Sequence, residues 1–280
     1  MTRRIVGWGG IQEENDNSKV LYTDLSGHWA QQAALKWSKR GVVQGNEAQS
    51  FVPNRMVTRA EWAALLGRMF QPQPGKQPGF IDVAEKNWYT QDIAAAVNAG
   101  YMKGHGTKQF KPQETLTRQE AEVSLQTIMK LASSERNLPW KDSKRIATWA
   151  QAAVAAVTEQ GLMKGYADSS FRPNQGITRA EAITLLDRVF DAYGTWIGAE
   201  GVHGPTTGEQ QLKGTVFINA AGVTLQNTVI DGDLIIGKQV GEGDVHLKNV
   251  KVKGNTYVYG GGDHNPGLGS RAISLGSVWR

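Results

Sequence analysis

Apolar positions along the chain follow two different periods. Ala150, Ala153, Val154 and Val157 fall at i, i+3, i+4 and i+7, one face of a helix, and Gly161 stands where a C-terminal glycine would end it. A second helical stripe runs through Trp62, Leu66, Met69 and Phe70. It returns at Ala121, Leu125, Ile128 and Met129, and again at Ala182, Leu186, Val189 and Phe190. Neither helix of such a pair can bury its stripe alone, whereas three pairs packed around a shared axis can. After Tyr193 the period changes to that of short strands. "TLQNTVIDGDLIIG" (224–237) is echoed by "HLKNVKVKGNTYVYG" (246–260), with Leu225/Leu247, Asn227/Asn249, Ile230/Val252 and Gly232/Gly254 each 22 residues apart. Short strands at that spacing predict right-handed coils of a parallel β-helix.

The helical part is one unit written three times. Trp29, Trp88 and Trp149 are 59 and 61 residues apart, and behind each the same frame follows. Glycines stand at +12 (Gly41, Gly100, Gly161) and +16 (Gly45, Gly104, Gly165). Phe51, Phe110 and Phe171 stand at +22, and Pro53, Pro112 and Pro173 at +24. Thr, Arg and Glu close the frame at +29, +30 and +32. An aspartate precedes each tryptophan (Asp24, Asp82, Asp142) at a gap of 5, 6 and 7 residues, so that edge is a loop. The expected organisation is an N-terminal extension (1–19), mainly α repeats at 20–71, 79–132 and 139–192, a linker (193–211) and an all-β segment (212–280). The connectors "QPQPGKQPG" and "SSERNLP" are polar and turn-rich.

Composition narrows the chemistry. The 280 residues are 40% hydrophobic and 20% charged, which suits folded domains. The absence of cysteine excludes disulfides and thiolate metal sites. His28, His105, His203, His246 and His264 have no regular metal spacing, and no metal or cofactor is expected. The net charge of +5 is uneven: residues 21–190 hold 21 lysines and arginines against 15 acids, while 191–280 hold 7 against 8. That points to an anionic partner for the helical part. Without a lysine/arginine run or an interleaved basic–aromatic stripe, nucleic acid is not the expected partner. No stretch reaches the roughly 18 apolar residues of a transmembrane helix, and "MTRRIVGWGG" has no signal-peptide core. Either the chain is cytosolic or its export signal is missing. The ending "SLGSVWR" and the sheet edge that a short stack would expose lead us to expect a fragment of a longer protein.

Thr58/Glu61, Thr117/Glu120 and Thr178/Glu181 have the spacing of a capping box at the start of each second helix. Capping does not account for the residue between them. Arg59, Arg118 and Arg179 set a cation against the positive end of a helix dipole. Two explanations stand: a structural pair with an aspartate, or an anion site built from guanidinium and helix amides. For Trp29, Trp88 and Trp149 the plainer role is a core anchor, and the alternative is an indole face that stacks on a sugar ring at a groove rim. Gly45, Gly104 and Gly165 read as permissive turns that would also let a ligand approach the backbone. Asp24, Asp82 and Asp142 read as caps of the first helix or partners of a sugar hydroxyl. The three phenylalanines read as core.

These recurring features, above all "QGLMKGYADSSFRPNQGITRAE" in the third copy, resemble the S-layer homology (SLH) domain, over three tandem copies at about residues 20–192. Copy one departs from copy three in having Asn46 in place of Tyr166, and copy two in having His105 there and Gln119 inside the motif. The resemblance implies a three-pronged pseudo-trimer that anchors a protein to a Gram-positive-type cell wall or surface layer. It implies binding of an anionic secondary cell-wall polymer, notably one ending in pyruvylated N-acetylmannosamine, in grooves between prongs. The implied groove residues are Arg59, Arg118, Arg179, Trp29, Trp88, Trp149, Asp24, Asp82, Asp142, Gly45, Gly104 and Gly165. The partners implied are that polysaccharide and surface-layer neighbours, without membrane insertion. Two other functions compete. One is a polysaccharide-active enzyme on the β segment, whose acids are Asp231, Asp233, Glu242, Asp244 and Asp263. No acid–base–metal constellation is legible among them, so the expectation is no catalytic residue. The other is a structural self-assembly module, which is compatible with anchoring.

Overall fold

A computed structural model describes residues 22–46, 48–106, 108–134 and 138–261 and the backbone of 274–276; the N-terminal extension 1–19 and Asp263 lie outside them. Six helices come in three pairs: α1 (Gln31–Lys39) and α2 (Arg59–Phe70), α3 (Thr90–Asn98) and α4 (Arg118–Ile128), α5 (Thr148–Glu159) and α6 (Arg179–Tyr193). Gly41, Gly100 and Gly161 adopt φ of 70°, 76° and 67° just past the first helix of each pair, the left-handed turn that glycine enters without a Cβ penalty. At α1 the closing bonds run from Gly41 N–H to the Ser38 carbonyl and from Val42 N–H to the Trp37 carbonyl, the two bonds of a Schellman motif. Capping boxes open α2, α4 and α6 as the sequence predicts.

The pairs close on one another through the backbone. Val57 N–H donates to the Ile177 carbonyl at 2.9 Å, Ile177 N–H to Leu116 at 3.0 Å and Leu116 N–H to Val57 at 2.9 Å, a cycle joining the three repeats. All three side chains are buried at the centre. Phe51, Phe110 and Phe171 are buried around them, as are the predicted helix stripes, with Ile128 only partly so.

The β segment holds β1 (Gly194–Ile197), β2 (Gly201–His203), β3 (Gln210–Lys213), β4 (Thr215–Ile218), β5 (Val223–Asp231), β6 (Leu234–Ile236), β7 (Val245–Val252), β8 (Thr256–Val258) and β9 (Ser274–Gly276). Every pairing is parallel. One sheet runs β1-β4-β6-β8; in the other, β5 pairs with β2, β3 and β7, and β7 pairs with β9. The registers Leu225↔Leu247 and Ile230↔Val252 match the 22-residue echo. Asn227 and Asn249 take φ of 46° and 52°, which asparagine tolerates, and Asn249 Nδ2 donates to Asn227 Oδ1 at 2.9 Å.

The expected linker 193–211 is not one. β1, β2 and the start of β3 lie within it. Gly194 follows the last residue of α6 directly, and β1 pairs with β4, from Gly194↔Thr215 to Ile197↔Ile218. Its pairing partner lies about 21 residues downstream, so local composition reads as turn while the sheet is completed non-locally. Strands β4 and β6 read as apolar runs because both faces are covered, and β1 joins them through Trp196 and Ile197. Ile197, Val216, Ile218, Leu234 and Ile236 point into the β core. The residues between them, Trp196, Phe217 and Ile235, pair in register and join the helical core. There Trp37 meets Phe190 edge-on at 4.8 Å and Trp196 at 5.9 Å, so one apolar core spans both parts.

Candidate functional site

Each motif arginine reaches from its own repeat into the next. Arg59 Nε donates to the Phe110 carbonyl at 2.9 Å and Nη2 to the Lys103 carbonyl at 2.7 Å, while Nη1 pairs with Glu120. Arg118 repeats this with the Phe171 carbonyl (2.8 Å), the Lys164 carbonyl (3.1 Å) and Glu181 (3.8 Å). Arg179 closes the cycle onto repeat one through the Phe51 and Gln44 carbonyls, both at 2.9 Å. The guanidiniums lie over the phenylalanine rings, at 4.7 Å for Arg59 and Arg179 and 5.2 Å for Arg118. Arg59 and Arg118 are each only 4% exposed.

The helix amides are spoken for as well. Arg59 N–H donates to the Glu114 carbonyl and Ala60 N–H to Pro112, while Glu61 N–H donates to Thr58 Oγ1. The same backbone bonds recur from Arg118 and Gln119 to repeat three and from Arg179 and Ala180 to repeat one. The anion site expected from free helix amides is therefore absent at these helix starts: the neighbouring repeat's carbonyls occupy the amides. Those carbonyls also explain why a cation is tolerated there. The guanidinium sees oxygen dipoles from the next repeat at closer range than its own helix dipole.

The aspartate side chains cap no helix among the described residues; each bonds within a loop of its own repeat. Asp24 accepts from Ser50 Oγ and from the amides of Phe51 and Val52, Asp82 from Phe110 and Lys111, and Asp142 from Phe171 and Arg172. Burial pushes all three carboxyls up, but these bonds outweigh it and hold them below the usual range. They pin a loop in which Val52, Lys111 and Arg172 take φ of 55°, 59° and 58°. The +16 glycines do not turn the chain through positive φ. A Cβ on Gly45 would lie 2.4 Å from the Tyr22 ring, on Gly104 2.5 Å from Phe80 and on Gly165 2.1 Å from Trp140. An aromatic two residues before each aspartate fills the side on which a Cβ would stand. That Tyr/Phe/Trp position is legible in the sequence once the aspartates are aligned.

Trp29, Trp88 and Trp149 are not core anchors: they are 62%, 62% and 60% exposed, at or just before the start of each first helix. The buried tryptophans of the helical part among the described residues are Trp37 and Trp62, both in repeat one.

Arg179 and Trp88 meet in one groove. A cleft of about 150 Å³ is lined by Gln44, Val57, Glu61 and Arg68 of repeat one, Trp88 of repeat two and Arg179 of repeat three. The three repeats are unequal here, for a reason outside the four-letter motif. Three residues before Thr58 stands Arg55, which holds Glu61 at 2.5 Å. The equivalent residues are Glu114 and Gln175. Arg55 thus takes the carboxylate that Arg59 and Arg118 receive from Glu120 and Glu181. Arg179 keeps its two carbonyl bonds and has no ion pair among the described residues. Burial and the Arg55 charge pull the Arg179 guanidinium below its ordinary range. Burial pushes Glu61 up, but its bonds from Arg55 and the Thr58 amide win and keep it ionised. Groups of this kind favour a ligand that carries an anion and a ring face.

Three helix pairs closed into a pseudo-threefold ring, with a groove contributed by all of them and parallel strands following, define a tandem-repeat module. Residues 21–63, 80–122 and 139–183 match the S-layer homology domain, so the chain carries three such domains. An amylopullulanase of Thermoanaerobacterium thermosulfurigenes is 30% identical over 171 residues, 59% of this chain and 9% of its own length. A surface-layer 125 kDa protein of Lysinibacillus sphaericus is 27% identical over 61% of this chain and 15% of its own. An S-layer protein of Bacillus thuringiensis subsp. finitimus is 27% identical over 66% of this chain and 23% of its own. The matched region therefore spans less than a quarter of each of these relatives. S-layer homology domains anchor surface-layer and other cell-surface proteins to the cell wall, and proteins named as enzymes carry them too. Among the described residues no helix is long and apolar enough to cross a membrane.

Proposed function

We propose that this chain is a non-catalytic anchor that binds an anionic secondary cell-wall polymer of a Gram-positive-type envelope, with a pyruvylated N-acetylmannosamine end seated beside Arg179 and Trp88. The observation that carries the reading is the guanidinium of Arg179, without an ion pair among the described residues, in a groove lined also by an indole 62% exposed. A pyruvyl ketal supplies a carboxylate for the first and a pyranose C–H face for the second. Arg59 and Arg118, each already facing a carboxylate, are the weaker sites and act first as struts between repeats. The β segment reads as coils of a right-handed parallel β-helix, supported by the 22-residue register between β5 and β7. Titration calorimetry with a pyruvylated disaccharide tests the anchor. We expect saturable binding that weakens by roughly 1.5–3 kcal/mol in Arg179→Ala, as for a charged hydrogen bond. No heat with the intact ligand sinks the reading, and unchanged affinity in both Arg179→Ala and Trp88→Ala removes this groove from it.

A further inference from the structure

Where the β segment docks on the helical repeats, a cleft of about 790 Å³ opens beside the shared core. The register that aligns Trp196, Phe217 and Ile235 along the docking face continues to Tyr257 on β8. Trp196 and Phe217 are buried, but Tyr257 is only half-buried and lines the cleft. Tyr259 lines it too; its ring lies nearly parallel to that of Tyr257, 7° apart with centroids at 6.5 Å. Tyr101 and Tyr193 come from the helical side, with Asn98 and Asn255 between them. Two polar features are left unspent. The Tyr259 hydroxyl is buried and has no hydrogen-bond partner among the described residues, a state that costs free energy unless something supplies one. The Tyr101 hydroxyl is held protonated, its pKa pushed up to about 12 by burial and by Asp233, so it stays a donor.

Lining residues lead from the cleft toward the groove of Arg179. A further depression of about 290 Å³ shares Gln71, Pro72, Pro74 and Tyr259 with the cleft, and shares Arg68 with the groove. Four tyrosine rings with hydroxyl and amide groups between them match the amphipathic surface of a pyranose, apolar on its C–H face and polar around its rim. Of the charged residues that line the cleft, Lys130 and Asp233 pair with one another at 3.2 Å, and Lys76 is solvent-exposed, where a charge is screened.

We infer that the junction cleft binds further, uncharged sugar residues of the polymer whose anionic end occupies the Arg179 groove, which makes the β segment part of the saccharide-binding surface. This rests on the reading of that groove as a polymer site. The whole chain is titrated with a pyruvylated disaccharide and with a hexasaccharide of the same polymer. The hexasaccharide should bind about tenfold tighter, the worth of one or two aromatic stacking contacts. Tyr257→Ala/Tyr259→Ala should abolish that gain and leave the disaccharide affinity unchanged, whereas Arg179→Ala should weaken both ligands. Tyr259→Phe, which keeps the ring and its packing, should lose part of the gain with no loss of thermal stability. A hexasaccharide that binds no tighter than the disaccharide overturns the inference, as does a gain that survives both tyrosine variants. If the hexasaccharide alone binds and depends on the tyrosines, the cleft stands and the groove reading falls. If neither ligand binds, both fall.

Discussion

Replacing Arg59 by alanine tests whether the motif arginine is a strut. Three things happen at once. Two backbone carbonyls, of Phe110 and Lys103, lose their donors in a region where Arg59 is 4% exposed. The Glu120 carboxylate loses its buried partner, retaining His105 at 3.6 Å and the Thr117 amide. The Phe110 ring loses a cation at 4.7 Å. Removing one member of a buried pair costs about 3–5 kcal/mol, chiefly because a charge is left behind. Arg179→Ala leaves no carboxylate behind that depended on it, since Glu61 stays with Arg55. Its cost is two carbonyl bonds and one ring contact, about 1.5–3 kcal/mol. Urea unfolding followed by circular dichroism should therefore place Arg59→Ala below Arg179→Ala by about 1–2 kcal/mol, taken from midpoints at an unchanged slope. Arg59→Ala/Glu120→Gln should recover part of the loss by removing the stranded charge. Equal destabilisation in the two single variants, or none from Arg59→Ala, refutes the strut. The binding assay should show the opposite ranking, with Arg179→Ala the more damaging.

Glu122 is fully buried on α4 with neither carboxylate oxygen bonded among the described residues, and burial pushes its pKa well above 4.5 in spite of Arg118. A folded pKa above the unfolded one means that the folded state holds the extra proton. Stability should therefore fall as pH rises above about 4.5, with a limiting slope near 1.4 kcal/mol per pH unit, and Glu122→Gln should flatten that slope in thermal melts. Gly165→Ala sets a methyl 2.1 Å from the Trp140 ring and should cost about 1–3 kcal/mol by overpacking, read from the urea midpoint. Arg55→Gln should hand Glu61 back to Arg179 and weaken the pyruvylated disaccharide about tenfold without unfolding the protein, the scale of one charged hydrogen bond; unchanged affinity would count against the account of why the grooves differ.

How much was legible follows from how local each feature is. Helix stripes, the glycines that end the first helices and the capping boxes are set within about a turn of chain, and all three are legible in the sequence. The 22-residue echo worked for the same reason, since a parallel register repeats the residue that pairs. Tandem copies also exposed Arg59, Arg118 and Arg179 as an unexplained position, and located the aspartates and tryptophans. What those side chains touch is not legible: the arginines' partners lie in another repeat, and the aspartates' partners lie 26 to 30 residues downstream in their own. The plainer expectation sets the indoles in the core and the resemblance sets them in grooves; all three are exposed, and Trp88 lines the Arg179 groove. The aspartates, expected as helix caps or sugar partners, hold loops, and Gly194–Ile197, expected as linker, is a strand.

The amino-acid sequence by itself determined a thrice-repeated helix pair followed by parallel strands, because period and capping are short-range constraints. Only the tertiary structure decided that the motif arginines are spent unequally. A guanidinium's chemistry depends on which carboxylate reaches it first, and Arg55 settles that for Arg179 across a contact between repeats one and three.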